Sequence, residues 1–126
     1  TFRGSQLSIV AAKAGLEIML NDKIEEKVQR QSAIIKEYLD KVAALNEGFD
    51  VRGIGFMWGV DCNKVKPDAV SRAIVKECFE NGLIVERAGR NNDVVKLMPC
   101  LLADDETLKK GLEIFVKAAE TVVNSL

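Results

Sequence analysis

The chain has 126 residues and contains no histidine. Histidine is the commonest general base and a frequent zinc ligand, so its absence excludes a Cys/His catalytic pair and a Cys/His zinc site. The three cysteines, Cys62, Cys78 and Cys100, form no C-x-x-C pair. We therefore expect free, mostly buried thiols in a cytoplasmic protein and no metal site. Any chemistry would have to rest on Lys, Asp, Glu, Tyr, Cys or a cofactor, and because the sequence offers no complete active site we assign no catalytic residue.

An excess of charge of one sign is also missing. The formal net charge is -1, and the lysines and arginines are scattered among acids. Such a surface gives no field that attracts nucleic acid or an anionic membrane, and neither partner is expected. The chain begins at Thr1 without a methionine or a signal segment, so we expect a piece of a longer protein.

The hydrophobic residues, 48% of the chain, mostly follow a helical period. Residues 5–20 are apolar on nearly every side, which predicts a helix covered on most faces, with Ser5 as its N-cap. Residues 22–45 form a long amphipathic pattern, and shorter patterns at 70–78 and 104–123 predict two more helices. Asn81-Gly82 can end the third helix with a left-handed cap.

Residues 51–61 alternate in hydrophobicity, contain the only tryptophan and predict a strand, a tight kink and a second strand. Gly53, Gly55 and Gly59 have the spacing G-x-G-x-x-x-G, one residue longer than a dinucleotide-binding motif, and an apolar strand follows where that motif needs a helix. We therefore interpret the segment as part of a bent sheet, with Phe56, Trp58 and Val60 in its core.

Two further segments, 83–87 and 94–98, predict a second hairpin, which Pro99 should end because proline cannot donate a backbone hydrogen bond. The order of elements predicts an α+β fold: a small, antiparallel-rich sheet with helices packed on one face.

Three features suggest contacts with a ligand. The helix start at residues 1–5 can hold an anion on free N–H groups, or Thr1 and Ser5 can simply cap the helix. Arg87 and Arg90 can form a carboxylate clamp or a solvated hairpin tip. Lys96 interrupts an apolar strand and either reaches solvent from a sheet edge or points at an anionic ligand.

Four motifs in this order carry a family resemblance, and together they extend over essentially the whole chain. The motifs are Thr1-Phe2-Arg3-Gly4-Ser5-Gln6-Leu7, residues 51–61, Gly82-Leu83-Ile84-Val85-Glu86-Arg87 and Val94-Val95-Lys96-Leu97-Met98-Pro99. They resemble the C-terminal part of a class III pyridoxal-phosphate-dependent aminotransferase of fold type I.

Within that family, the start of the chain and residues 86–96 are most similar to the diaminobutyrate:2-oxoglutarate aminotransferases. The resemblance implies transfer of the ω-amino group of L-2,4-diaminobutyrate to 2-oxoglutarate, giving aspartate 4-semialdehyde and glutamate. Ornithine and 4-aminobutyrate aminotransferases are alternatives within the family. A stand-alone α+β ligand-binding or interaction module is an alternative outside it.

The resemblance also assigns roles to residues and segments. It implies that Thr1 binds the phosphate of pyridoxal 5'-phosphate in the neighbouring subunit of a homodimer and that Lys96 binds the substrate α-carboxylate. Many members have arginine in place of Lys96, and Cys100 stands where a second proline is usual. Residues 1–21 would be the helix that connects to a large domain, and residues 22–126 the small C-terminal domain.

The lysine that bonds to the cofactor, and the aspartate that pairs with its pyridine nitrogen, would precede Thr1 in the longer protein. The fragment alone is therefore expected to be inert.

Overall fold

The structure, a computed structural model, describes residues 3–126 and contains a four-stranded sheet with strand order β1-β2-β4-β3. Every neighbouring pair of strands is antiparallel, which confirms the predicted α+β fold. The elements are α1 (Gln6–Asn21), α2 (Ile24–Ala43), β1 (Asp50–Ile54), β2 (Met57–Asp61), α3 (Ala69–Glu80), β3 (Glu86–Ala88), β4 (Val94–Leu97) and α4 (Asp105–Val123).

The glycine-punctuated segment forms the hairpin of β1 and β2, as predicted. Ile54 pairs with Met57 across a turn whose first central residue, Gly55, has a φ of 57°, as in a type II′ turn. A Cβ atom at Gly53 would lie 2.5 Å from the Trp58 ring, so only glycine fits against this side chain. Because β2 follows the turn directly, no helix N-terminus is available there for a pyrophosphate.

One face of the sheet holds the core. Trp58 pairs with Leu97 and Val60 with Val95, and all four side chains are buried. Helices α2, α3 and α4 cover this face and contribute further buried side chains, among them Ile35, Leu39, Ile74, Leu112 and Phe115. Since side chains alternate along a strand, the residues between these positions point to the opposite face, which α2, α3 and α4 leave open.

Helix α3 ends in a Schellman motif at Gly82, which has a φ of 86°. The Gly82 N–H donates to the Phe79 carbonyl, and the Leu83 N–H donates to the Cys78 carbonyl. The predicted left-handed cap is therefore confirmed. The predicted strand at 83–87 is wrong at its start, because Leu83 still belongs to the helix cap and pairing begins only at Glu86.

The prediction that α1 is covered on most faces is wrong for the described chain. All residues of α1 are exposed, although many are large and apolar. Within residues 3–126 the helix packs mainly beside α2, and its sixteen residues carry apolar side chains in too many directions for one neighbour to cover. It therefore contributes little to the core.

Candidate functional site

Lys96 lies on β4, an interior strand of the sheet, so of the two alternatives the one in which it reaches solvent from a sheet edge does not apply. Its neighbours Val95 and Leu97 are buried in the core, and Lys96 therefore points to the open face. Its cross-strand partner on β2 is Gly59, which has no side chain. The open face thus leaves room above the lysine on that side.

Glu86 lies directly opposite Lys96 on the other neighbouring strand. Its Oε2 atom is 2.6 Å from the Lys96 Nζ atom, the distance of a charge-assisted hydrogen bond. This hydrogen bond and the positive charge of Lys96 lower the pKa of Glu86. The side chain of Lys96 is 34% exposed and that of Glu86 is 69% exposed, so the pair lies at the surface.

The pair borders a cavity of about 520 Å³. The cavity lies between the segment that leads into β3, the segment that follows β4 and the first half of α4, and its lining is mostly apolar, including Leu83, Leu97, Pro99 and Leu108. Cys100 also lines it and is exposed, whereas Cys62 and Cys78 are buried as expected. An apolar cleft with one charged pair at its border is the usual form of a site for a small organic ion.

Arg87 and Arg90 do not act together. The Arg87 guanidinium donates hydrogen bonds to the carboxylate and the backbone carbonyl of Asp68, at the start of α3. Arg72 binds the same carboxylate, and both arginines lower the pKa of Asp68, Arg72 by more. Arg90 lies exposed in the loop between β3 and β4. Arg87 thus joins the hairpin to α3, and its guanidinium is already paired with Asp68, which disfavours the alternative of a carboxylate clamp with Arg90.

Thr1, the expected cofactor contact, lies outside the described residues. The start of α1 nevertheless suits a phosphate group such as that of pyridoxal 5'-phosphate. In the part of the chain from residue 3 onward, the Ser5 side chain makes no cap hydrogen bond and the first turn has no acidic residue. N–H groups at such a helix start attract an anion. Ser5 occupies the predicted N-cap position without capping the helix through its side chain.

Sequence reasoning missed Glu86 as the partner of Lys96. The sequence contained a signal for this pair, because both strands were predicted and an antiparallel pair places each residue of one strand opposite a residue of the other. The register itself depends on the loop at residues 89–93, in which Gly89 and Asn92 both have positive φ, and that geometry was not predicted.

The described residues, 3–126, contain no group of three or more His, Cys, Asp or Glu side chains that could hold a metal ion. None of their helices is both long enough and apolar enough to cross a membrane.

Comparison with known proteins identifies the family. The model of the family "Aminotransferase class-III" matches residues 1–119. An uncharacterized aminotransferase of Sinorhizobium fredii is 40% identical over 121 residues, which are 94% of this chain and 26% of the relative. A diaminobutyrate–2-oxoglutarate transaminase of Wolinella succinogenes is 37% identical over 125 residues, which are 98% of this chain and 29% of the relative.

Among solved structures, a PLP-bound aminotransferase mutant from Vibrio fluvialis superposes with a TM-score of 0.73 at 25% identity, covering 86% of this chain and 25% of that one. The chain thus spans between a quarter and a third of the proteins it matches. The family match extends over most of its length and favours an aminotransferase over an unrelated interaction module. The chain belongs to the class-III aminotransferases.

Proposed function

We propose that this chain is the C-terminal part of an aminotransferase that moves the ω-amino group of L-2,4-diaminobutyrate to 2-oxoglutarate, forming aspartate 4-semialdehyde and glutamate. The donor is taken from relatives such as the Wolinella succinogenes protein, whose name specifies it. The observation that carries the proposal is a lysine on the open face of the sheet, at the border of an apolar cavity, in a chain matched by the class-III family.

Lys96 is proposed to bind a substrate carboxylate. Its ammonium group is a compact charge with three donors, so it attracts a carboxylate without the two parallel hydrogen bonds that an arginine would supply. The apolar walls of the cavity strengthen this attraction because they reduce the local dielectric. The role of Lys96 is therefore to hold and orient the carboxylate of an amino acid or oxoacid.

Pyridoxal phosphate, when bound, supplies the electron sink that amino-group transfer requires. Thr1 and the start of α1 are proposed to hold its phosphate from the neighbouring subunit of a homodimer. Residues 1–21 then form the connection to a large domain and residues 22–126 the small domain. The fragment alone is proposed to be inert. We infer a cytoplasmic location from the free thiols of Cys62 and Cys78.

The donor can be tested with the full-length protein, purified with its cofactor. It is assayed with 2-oxoglutarate and each of L-2,4-diaminobutyrate, L-ornithine and 4-aminobutyrate, and the ratio kcat/KM is compared. We expect the highest value for L-2,4-diaminobutyrate. A higher value for L-ornithine or 4-aminobutyrate would instead identify an ornithine or a 4-aminobutyrate aminotransferase. If none of the three donors supports amino-group transfer, the proposal is contradicted.

The role of Lys96 is tested in the same protein by the variant Lys96→Ala. Loss of a charge-assisted hydrogen bond costs about 1.5–3 kcal/mol, so the KM for 2-oxoglutarate should rise roughly tenfold to a hundredfold. Lys76→Ala is the matched control, because Lys76 also pairs with a glutamate, Glu80, but on the surface of α3. Unchanged kinetics in Lys96→Ala would leave this lysine with a structural role only.

A further inference from the structure

The connection between β4 and α4, residues 98–104, forms one wall of the cavity beside Lys96. The residues of the connection that line the cavity are Met98, Pro99, Cys100 and Ala103. Its middle is a turn, which the Ala103 N–H closes by donating to the Cys100 carbonyl at 3.0 Å. The two residues at the centre of this turn are exposed leucines. Because few of its side chains are buried, packing alone holds this wall only weakly.

Gln31 on α2 attaches the wall to the layer of helices. Its Nε2 atom donates hydrogen bonds to the Ala103 carbonyl at 3.2 Å and to the Asp105 Oδ1 atom at 2.7 Å. The side chain of Gln31 is fully buried, so its amide is shielded from water. Within residues 3–126, Gln31 is the one side chain that hydrogen-bonds the connection from α2, α3 or the sheet.

The amide of Gln31 has a single satisfactory orientation. Reversing it would set its oxygen against the Ala103 carbonyl and the Asp105 carboxylate, and all three groups are acceptors. In the observed orientation the Gln31 Oε1 atom is buried and has no donor among residues 3–126. A buried polar atom without a partner destabilises a fold, so the stability gained at Nε2 is partly offset at Oε1. This balance points to a role in geometry rather than in stability.

The two acceptors differ in how much they depend on Gln31. Asp105 has a second partner on α2, because the Arg30 Nη1 atom donates to its Oδ2 atom at 2.5 Å. The Ala103 carbonyl has no other donor within residues 3–126. Loss of the Gln31 amide would therefore leave the start of α4 attached to α2 and release the wall of the cavity.

We propose that Gln31 is a positioning residue for the site described above: it fixes the connection between β4 and α4, and thereby the fit of a substrate in the cavity beside Lys96. The inference rests on the proposed use of this cavity by the substrates. The described residues that line the cavity do not include Gln31, so it acts through Ala103. A released wall would loosen the fit without changing any group at the reacting atoms.

The test uses the full-length protein with its cofactor and the variant Gln31→Met. Methionine is unbranched and close to glutamine in size, so it keeps the packing and removes the donor and the unpaired oxygen together. Hydrogen exchange measured by mass spectrometry should become faster in the peptide that covers residues 98–105, because the turn closed by the Ala103 N–H opens more often. Exchange in the other peptides of residues 22–126 should not change.

Steady-state kinetics give the second measurement. The KM values for 2-oxoglutarate and the amino donor should rise about twofold to tenfold in Gln31→Met, the range that the net loss of one hydrogen bond allows. The kcat should be unchanged, because the wall holds the ground state and the transition state alike. A merely structural role would give the opposite split, since partial unfolding lowers the amount of active enzyme, and hence kcat, at constant KM.

Arg30→Met is the matched control. It makes the same replacement one residue earlier and removes the other hydrogen bond to Asp105, but it leaves Ala103 bonded to Gln31. We expect hydrogen exchange at residues 98–105 and both KM values to equal those of the unchanged protein. Circular dichroism verifies that each variant is folded.

Two results would overturn the inference. Faster exchange throughout residues 22–126, or a lower kcat at constant KM, would make Gln31 a stabilising core residue only. Faster exchange confined to residues 98–105 with unchanged KM values would show that this wall does not set the fit of the substrates. Failure of the proposed role of Lys96 is a separate result: Lys96→Ala would then leave the KM for 2-oxoglutarate unchanged while Gln31→Met still raises it.

Discussion

Helices α1 and α4 are similar in length, but they relate to the rest of the chain in opposite ways. The buried residues of α4 lie on one stripe and include Leu108, Leu112 and Phe115. In α1 no residue is buried, although its sequence is the more apolar of the two. The same type of side chain, leucine, is 3% exposed at Leu112 and 56% exposed at Leu16.

Hydrophobicity and burial are thus separate properties of a helix. A polar face fixes how α4 must lie on a sheet, because only one side can be buried without desolvating charges. Helix α1 has no such face, and in the described chain it packs mainly beside α2. Its exposed large apolar side chains are Leu7, Ile9, Val10, Leu16, Ile18, Met19 and Leu20.

The largest expected effect comes from truncating the two leucines in the 126-residue chain. Leu112→Ala leaves a cavity in the core and should lower the free energy of unfolding by about 2–5 kcal/mol. Leu16→Ala should change it by no more than about 0.5 kcal/mol, because the side chain is already in water. Urea denaturation measures both. Equal losses would show that α1 is packed in solution, and the contrast between the helices would not hold.

The N-caps give a smaller contrast. The Asp104 carboxylate accepts a hydrogen bond from the Thr107 N–H at 2.7 Å, whereas the Ser5 side chain makes no cap hydrogen bond in the described chain. Asp104→Ala should therefore cost about 1 kcal/mol of stability. Ser5→Ala is the matched substitution and should be close to neutral. Urea denaturation measures the free energy of unfolding of both variants. A loss for Ser5→Ala as large as that for Asp104→Ala would contradict the structure at the start of α1.

The smallest expected effect is a dependence of stability on acid pH that originates at α4. The Thr107 N–H lowers the pKa of Asp104, and the Arg30 guanidinium, more than Gln31, lowers that of Asp105. Because folding favours these carboxylates in their charged form, their contribution is complete above pH about 4 and is lost as the pH falls below it.

Asp104→Asn keeps an oxygen that can cap the helix and removes the titration. Its free energy of unfolding should fall less steeply between pH about 5 and 3 than that of the unchanged chain. An identical slope would exclude Asp104 as a source of the acid dependence.

Much of the fold followed from local patterns. The helices were predicted from their period, the first hairpin from its glycines, and the end of α3 from Asn81-Gly82, because each of these features depends on residues close in sequence. The start of β3 was misplaced, since the helix cap extends through Leu83 and the strand has only three residues. The exposure of α1 was also missed, because an apolar sequence does not say whether a partner is present.

At the candidate site, local sequence was enough to show that a lysine interrupts an apolar strand and that the motifs around it resemble those of one family. The tertiary structure decided that this strand is interior, that Lys96 faces away from the core and that Glu86 is its partner. The reason is physical: the two charges lie ten positions apart along the chain, and only the antiparallel register of β3 and β4 brings them to 2.6 Å.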